Sequence, residues 1–198
     1  MVIETVVTTL DAAGEPNFAA MGVCWGDDTL VIRPYVNTRT FRNLEARGEA
    51  VVNVTDDVLI FAKSALTRER FACVPAERVR GVVLREACHW REVRVLDLGE
   101  AASGEGAADG PARADVTTRV VGGGVGRPFV GLCRAKHAVV EASILASRLR
   151  LRPLGEILGE VEKLALLVER TGGPAEREAL AFIRAFIARK SGNGRDAA

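Results

Sequence analysis

The segment from Arg33 to Asn43 holds the densest polar chemistry in the chain: Arg33, Arg39 and Arg42 as cations, Thr38 and Thr40 as hydroxyls, Asn37 and Asn43 as amides. It lies where an apolar, β-branched run ends and a helical pattern begins. A helix start presents N–H groups without intrahelical acceptors and a partial positive charge, so hydroxyls and guanidiniums gathered there can hold a dianion such as a phosphate. The same residues also fit a capped helix with a solvated arginine face. Composition leaves both readings open.

A second cluster, Asn53-Val54-Thr55-Asp56-Asp57, ends the next strand-like run and would stand beside the first if the two strands flank the helix. Asn53 can donate or accept at a ligand edge. Asp56 and Asp57 suit the start of another helix better than a catalytic carboxylate pair, because neighbours on one turn rarely face a common point. Gly122-Gly123-Gly124-Val125-Gly126-Arg127-Pro128 satisfies neither glycine-rich nucleotide pattern and reads as a flexible loop. Cys88-His89 and His137 share no repeated ligand spacing, so no metal centre is expected. Arg134, Lys136 and His137 open a helical pattern and read by default as its solvated face.

These groups need elements to place them. Val2 to Thr9, Asn17 to Trp25 and Thr29 to Arg33 are β-branched or apolar runs separated by short turn segments, so an antiparallel meander is expected. Thr38 as N-cap and Gly48 as stop frame a short helix, a strand follows from Ala50 to Thr55, and Asp56 or Asp57 caps a second short helix through Ser64. Val82 to Arg85, Glu92 to Leu98 and Val116 to Val121 read as strands, with Glu100 to Ala114 a mobile loop between the last two. From Arg134 the apolar period becomes helical. Three helices are expected, to Leu149, from Leu154 to Arg170, and from Pro174 to Lys190, with Leu166, Leu167, Phe182, Ile183, Phe186 and Ile187 at core spacing. The order of elements argues for an α+β fold: a β-barrel core over 1–130, a C-terminal helical segment over 131–190 packed on it, and a flexible tail over 191–198.

The 198 residues carry 27 basic and 26 acidic side chains, which argues against a polyanion-binding or disordered chain. Two histidines and four cysteines without a CxxC pair are a thin supply for catalysis by side chains alone, and suggest free thiols in a reducing cytoplasm. No apolar run approaches the roughly 18 residues of a membrane span, and no secretory signal pattern is present, so a soluble cytoplasmic protein is expected.

The stretches Asn17-Phe18-Ala19-Ala20-Met21-Gly22-Val23, Ile32-Arg33-Pro34-Tyr35, Thr38-Arg39-Thr40-Phe41-Arg42-Asn43-Leu44 and Val51-Val52-Asn53-Val54-Thr55-Asp56-Asp57 resemble the domain-of-unknown-function four-four-seven family of archaea and methanopterin-using bacteria. Arg134 to Ala142, and Glu169 to Gly173 with Glu176, extend the likeness over nearly the whole chain. The resemblance implies an FMN-binding split β-barrel with short helical inserts and a C-terminal helical segment, related to flavin reductases and usually homodimeric, with flavin near the subunit interface. It implies FMN as cofactor, its phosphate near Arg33, Thr38, Thr40 and Asn43, with Asn53 and Thr55 facing the ring or ribityl chain and Met21 and Gly22 approaching the isoalloxazine. A flavin-dependent oxidoreductase acting on a small molecule, with a link to methanopterin-type one-carbon metabolism, is the leading expectation. A non-catalytic flavin or small-ligand module is the alternative. Cys133, where the family often has asparagine, and the Glu100 to Ala114 stretch depart from the family pattern.

Overall fold

Valine, isoleucine and threonine suit a pleated, half-buried surface. They build β1 (Val2–Leu10), β2 (Pro16–Trp25) and β3 (Thr29–Ile32) into the expected meander, whose partners run from Val2↔Cys24 to Leu10↔Pro16 and from Val23↔Ile32 to Trp25↔Leu30. At the first turn the Asp11 carboxylate accepts the N–H groups of Ala13 and Glu15, each at 2.9 Å, and Gly14 takes φ 86°, a conformation that disfavours any side chain.

In this computed structural model residues 1–102, 112–129 and 133–192 are described. The chain continues through α1 (Arg39–Arg47), β4 (Glu49–Val54), α2 (Val58–Leu66), β5 (Cys73–Pro75), β6 (Val82–Leu84), β7 (His89–Ala102) and β8 (Arg113–Val125). It ends in α3 (Arg134–Ser147), α4 (Leu154–Thr171) and α5 (Pro174–Gly192). Two compact units result: Met1–Thr55 with Arg68–Phe129, and Asp56–Thr67 with the described residues from Cys133 onward.

The first unit is a closed barrel in the order β1-β2-β3-β8-β7-β4, sealed where β4 pairs with β1 from Val6↔Asn53 to Thr8↔Val51. Closure leaves no free sheet edge along the paired strands, and the inward side chains Val7, Val23, Leu30, Ile32, Val52, Val93 and Val116 pack into one core with Leu44 of α1. The short β5–β6 ribbon is tied to the β1–β4 seam. Thr8 Oγ1 donates to the Val82 carbonyl at 2.5 Å, and Leu84 N–H donates to Asn53 Oδ1 at 2.9 Å. Between these two strands the N–H groups of Glu77, Arg78 and Val79 converge on the buried Glu92 carboxylate at 3.2, 2.5 and 3.1 Å. A carboxylate held by three backbone donors is well satisfied despite its burial.

In the second unit α2 joins the three C-terminal helices rather than the barrel. Asp57 caps α2, accepting from the N–H groups of Leu59 and Ile60 at 3.0 and 3.1 Å. Alanines 135, 138, 142 and 146 line the buried face of α3 and admit Val58, Ile157, Val161, Val168, Ile183 and Ile187 into one core. Lys136 reaches the buried Asp56 carboxylate at 2.7 Å, so it is part of this unit's interior bracing and not of a solvated face. Leu166, expected at a core position, is instead 51% exposed.

Two further expectations change. Gly122 to Gly124 are not loop but the end of β8, paired with Glu92, Arg91 and Trp90. Glycine is needed there because an added Cβ would lie 2.5 Å from the Trp90 carbonyl at Gly123 and 2.5 Å from the Trp90 ring at Gly124. The expected loop from Glu100 to Ala114 lies mostly outside the described residues, and its ends are strand: β7 runs to Ala102 and β8 starts at Arg113. The expected tail over 191–198 lies outside the described residues from 193 onward. Among the described residues no helix is long and apolar enough to cross a membrane.

Candidate functional site

α1 begins where β3 leaves the barrel. Thr38 takes the extended N-cap conformation, and its hydroxyl accepts from Phe41 N–H at 3.3 Å while donating to the Tyr35 carbonyl at 2.6 Å. The helix stops at Gly48, φ 65°, whose N–H returns to the Leu44 carbonyl at 2.8 Å. Arg42 N–H reaches the Thr38 carbonyl, but the N–H groups of Arg39 and Thr40 have no acceptor among the described residues. The first turn carries no acidic residue, and among the described residues the exposed guanidiniums of Arg39 and Arg42 form no ion pair. Two open donors, the positive helix end and uncommitted cations form a donor set suited to a dianion.

The other residues singled out from the sequence fall into distinct environments. Arg33 is bidentate on Asp115, with Nε–Oδ1 at 2.9 Å and the second contact at 3.0 Å; the hydrogen bond and charge of that carboxylate raise the guanidinium pKa further. Thr40 and Asn43 are buried and sew α1 to the barrel: Asn17 Nδ2 donates to Thr40 Oγ1 at 3.1 Å, and Asn43 Nδ2 to Thr9 Oγ1 at 3.0 Å. Asn53 has no exposed surface. Its Nδ2 donates to the carbonyls of Val6 at 3.0 Å and Val51 at 3.3 Å, and its Oδ1 accepts from Leu84, so both ends of the amide serve the strand seam. Thr55 donates to the Glu86 carbonyl at 2.8 Å and lies 3.5 Å from an Arg127 nitrogen, at the end of β4 remote in sequence from the α1 cap.

Met21 and Gly22 sit mid-strand in β2. The Met21 side chain packs with the barrel core, and its carbonyl accepts from Thr5 Oγ1 at 2.9 Å. At Gly22 a Cβ would come 2.7 Å from Val2 Cγ1, so neighbouring β1 side chains already account for glycine there. Arg33 and Thr38 therefore share the end of the barrel where α1 starts, with Thr40 and Asn43 on the first turns of that helix. Asn53, Thr55, Met21 and Gly22 lie along other strands.

Models of the protein of unknown function (DUF447) N-terminal domain and of its companion C-terminal region match residues 3–125 and 133–185. The chain belongs to the DUF447 family. An FMN-bound DUF447 protein from Methanosarcina mazei is similar in structure at a TM-score of 0.76 and 22% identity, covering 93% of this chain and 94% of its own. Nitrilotriacetate monooxygenase component B from Bacillus cereus matches at 0.52 and 19% identity, over 63% of this chain and 69% of its own. The styrene monooxygenase flavin reductase from Pseudomonas putida S12 matches at 0.51 and 15% identity, over 63% and 80%. At these identities the likeness establishes the fold, the α+β split barrel that the resemblance implied.

In this DUF447 chain the structure also brings forward residues that pattern reading missed. Tyr35 and Arg113 form an isolated backbone bridge, the Arg113 guanidinium lies 4.3 Å over the Tyr35 ring, and it donates to the Tyr35 hydroxyl at 2.7 Å. The signal was the period-two polar series Arg113, Asp115, Thr117, Arg119, the outer face of a strand, hidden by the alanine- and glycine-rich stretch that precedes it. Toward the other end of β7, His89 stacks on Trp25 with centroids 5.6 Å apart and planes at 7°, while Arg91 stands 5.4 Å from the same indole. Burial, with a smaller contribution from the Arg91 charge, holds the imidazole pKa below its usual value. Among the described residues no group of three or more histidine, cysteine or acidic side chains could hold a metal.

Proposed function

We propose that this protein is an FMN-binding flavoprotein, a flavin-dependent oxidoreductase acting on a small molecule, with the flavin phosphate at the start of α1. The observation that carries the reading is the pair of N–H groups at Arg39 and Thr40 that have no acceptor among the described residues, beside the Thr38 cap and the guanidiniums of Arg39 and Arg42, which form no ion pair among those residues. It stands within a fold shared with an FMN-bound member of the same family. When bound, the isoalloxazine supplies hydride or electron transfer, which the side chains of a chain with two histidines do not themselves offer. The chain's own work is to bind and orient. Thr38 fixes the direction of the first-turn N–H groups, Arg33 lies at the same barrel end, and Thr40 and Asn43 anchor the helix so that its donors keep their aim. Asn53, Thr55, Met21 and Gly22 serve strand register and packing in the barrel unit.

A homodimer, and a substrate that is a pterin or another one-carbon intermediate, are suggested by the family resemblance and belong to the same proposal. Freshly purified protein is expected to show a flavin spectrum, or to gain heat resistance when FMN is added. Thr38→Ala should weaken FMN binding by more than the roughly 1 kcal/mol an N-cap contributes to the fold. Protein that neither carries nor responds to FMN would refute the reading. Flavin that binds yet is not reduced anaerobically by NADH, NADPH or a reduced pterin would favour the non-catalytic module, for which the sparse acid–base chemistry at the α1 end speaks.

A further inference from the structure

Two arginines stand where α1 meets the barrel, in opposite electrostatic states. Arg33 has its guanidinium fork filled by both oxygens of Asp115, so the pair is neutral as a unit. Arg33 keeps N–H donors that Asp115 does not take, but a phosphate meeting them also faces the Asp115 carboxylate, whose negative charge offsets the attraction. Arg113 rests on uncharged partners: the face of Tyr35 at 4.3 Å and its hydroxyl at 2.7 Å. Among the described residues no carboxylate neutralises it. A guanidinium carries five N–H donors, so one bond to a hydroxyl leaves most of its fork open, and stacking on a ring leaves its full charge in place.

Tyr35 also connects this cation to the helix start. Its carbonyl receives both the N–H of Thr38 at 3.0 Å and the Thr38 hydroxyl at 2.6 Å, and the backbone is clamped on either side by Val36 N–H to Ala112 carbonyl at 3.0 Å and Ala114 N–H to Pro34 carbonyl at 3.1 Å. The residue that carries Arg113 therefore also sets the N-cap. We propose that Arg113, aimed by Tyr35 as a positioning residue, joins Arg39 and Arg42 as a cation that recognises the ligand's phosphate, while Arg33 and Asp115 form a structural pair. This rests on the reading above, that a flavin phosphate lies at the start of α1.

The test titrates the purified full chain, stripped of flavin, with FMN and with riboflavin, following flavin fluorescence. The wild type should prefer FMN. Arg113→Ala and Arg113→Gln should each lose about tenfold or more in FMN affinity, the scale of a charge-assisted hydrogen bond, with riboflavin affinity held, so that the preference collapses. Tyr35→Leu should reduce the preference in the same direction, and Tyr35→Phe, which keeps the stack, should reduce it less. Arg33→Ala/Asp115→Ala, which removes the pair without changing net charge, should lose less of the preference than Arg113→Ala. An unchanged preference in both folded Arg113 variants, or a larger loss in the double variant, overturns the assignment. Equal wild-type affinity for both flavins overturns it while leaving flavin binding intact; binding of neither refutes the functional reading itself.

Discussion

Replacing Asn53 by alanine separates a ligand-facing role from a structural one. The substitution deletes the acceptor of Leu84 N–H, a 2.9 Å bond at a buried position, and the donor to the carbonyls of Val6 and Val51 at 3.0 and 3.3 Å. An orphaned buried N–H costs about 1–3 kcal/mol, and the lost bonds to the two carbonyls together with a small cavity add about 1 kcal/mol more. The barrel should therefore lose about 2–4 kcal/mol, a fall of roughly 4–15 °C in Tm for a chain of this size. Trp25 and Trp90, the two tryptophans of the chain, both lie in the barrel unit, so their fluorescence during urea unfolding reports that unit. The folded variant should keep its FMN affinity to within about threefold, under 1 kcal/mol. Asn53→Asp sharpens the result. It retains the acceptor for Leu84 but turns a carboxylate oxygen toward two carbonyls, so it should be less stable than the alanine variant at neutral pH and recover as the acid protonates. A shift below about 0.5 kcal/mol, or an equally stable barrel that no longer binds flavin, would refute the reasoning.

Glycines 124 and 159 should respond in opposite directions to alanine. At Gly124 a Cβ meets the Trp90 ring at 2.5 Å, and overpacking of that kind costs about 1–3 kcal/mol, whereas the exposed Gly159 in α4 has nothing within 4 Å and should gain up to about 1 kcal/mol in helix propensity; thermal unfolding of both variants checks the contrast. His89 gives a pH dependence. Its pKa is lower in the fold than the ordinary 6.5, so stability is fully present above that value and declines as pH falls below it, because the unfolded chain takes up the proton first. His89→Phe should flatten that part of the stability profile, and a profile unchanged by the substitution would show that other groups cause it.

Where local rules act, the sequence is a direct guide. Thr38 and Gly48 predicted the ends of α1, and the Asp56-Asp57 pair the start of α2, where Asp57 is the cap, because a capping hydroxyl or carboxylate and a left-handed glycine work within three or four residues of themselves. The meander of β1 to β3 was readable from turn residues between β-branched runs. The glycines of β8 were misread because their reason lies across the sheet: Trp90 and Arg78 occupy the space that side chains would need. β6 was readable from Val82 to Arg85, whereas β5, three residues long and paired only with β6, gave little signal.

The candidate site divides along the same line. The sequence by itself determined a helix start with hydroxyls and arginines, a near-neutral chain, and membership of a family, since these depend on local order and composition. Only the tertiary structure decided which polar side chains remain open to a ligand. The β6 ribbon covers Asn53 on the outer face of β4, where it bonds Val6 and Leu84, while strand pairing brings Asp115 to Arg33 and lays Arg113 on Tyr35 across 78 positions of sequence. A charge is available to a ligand only if no nearer partner has taken it, and those partners are set by strand register rather than by neighbours along the chain.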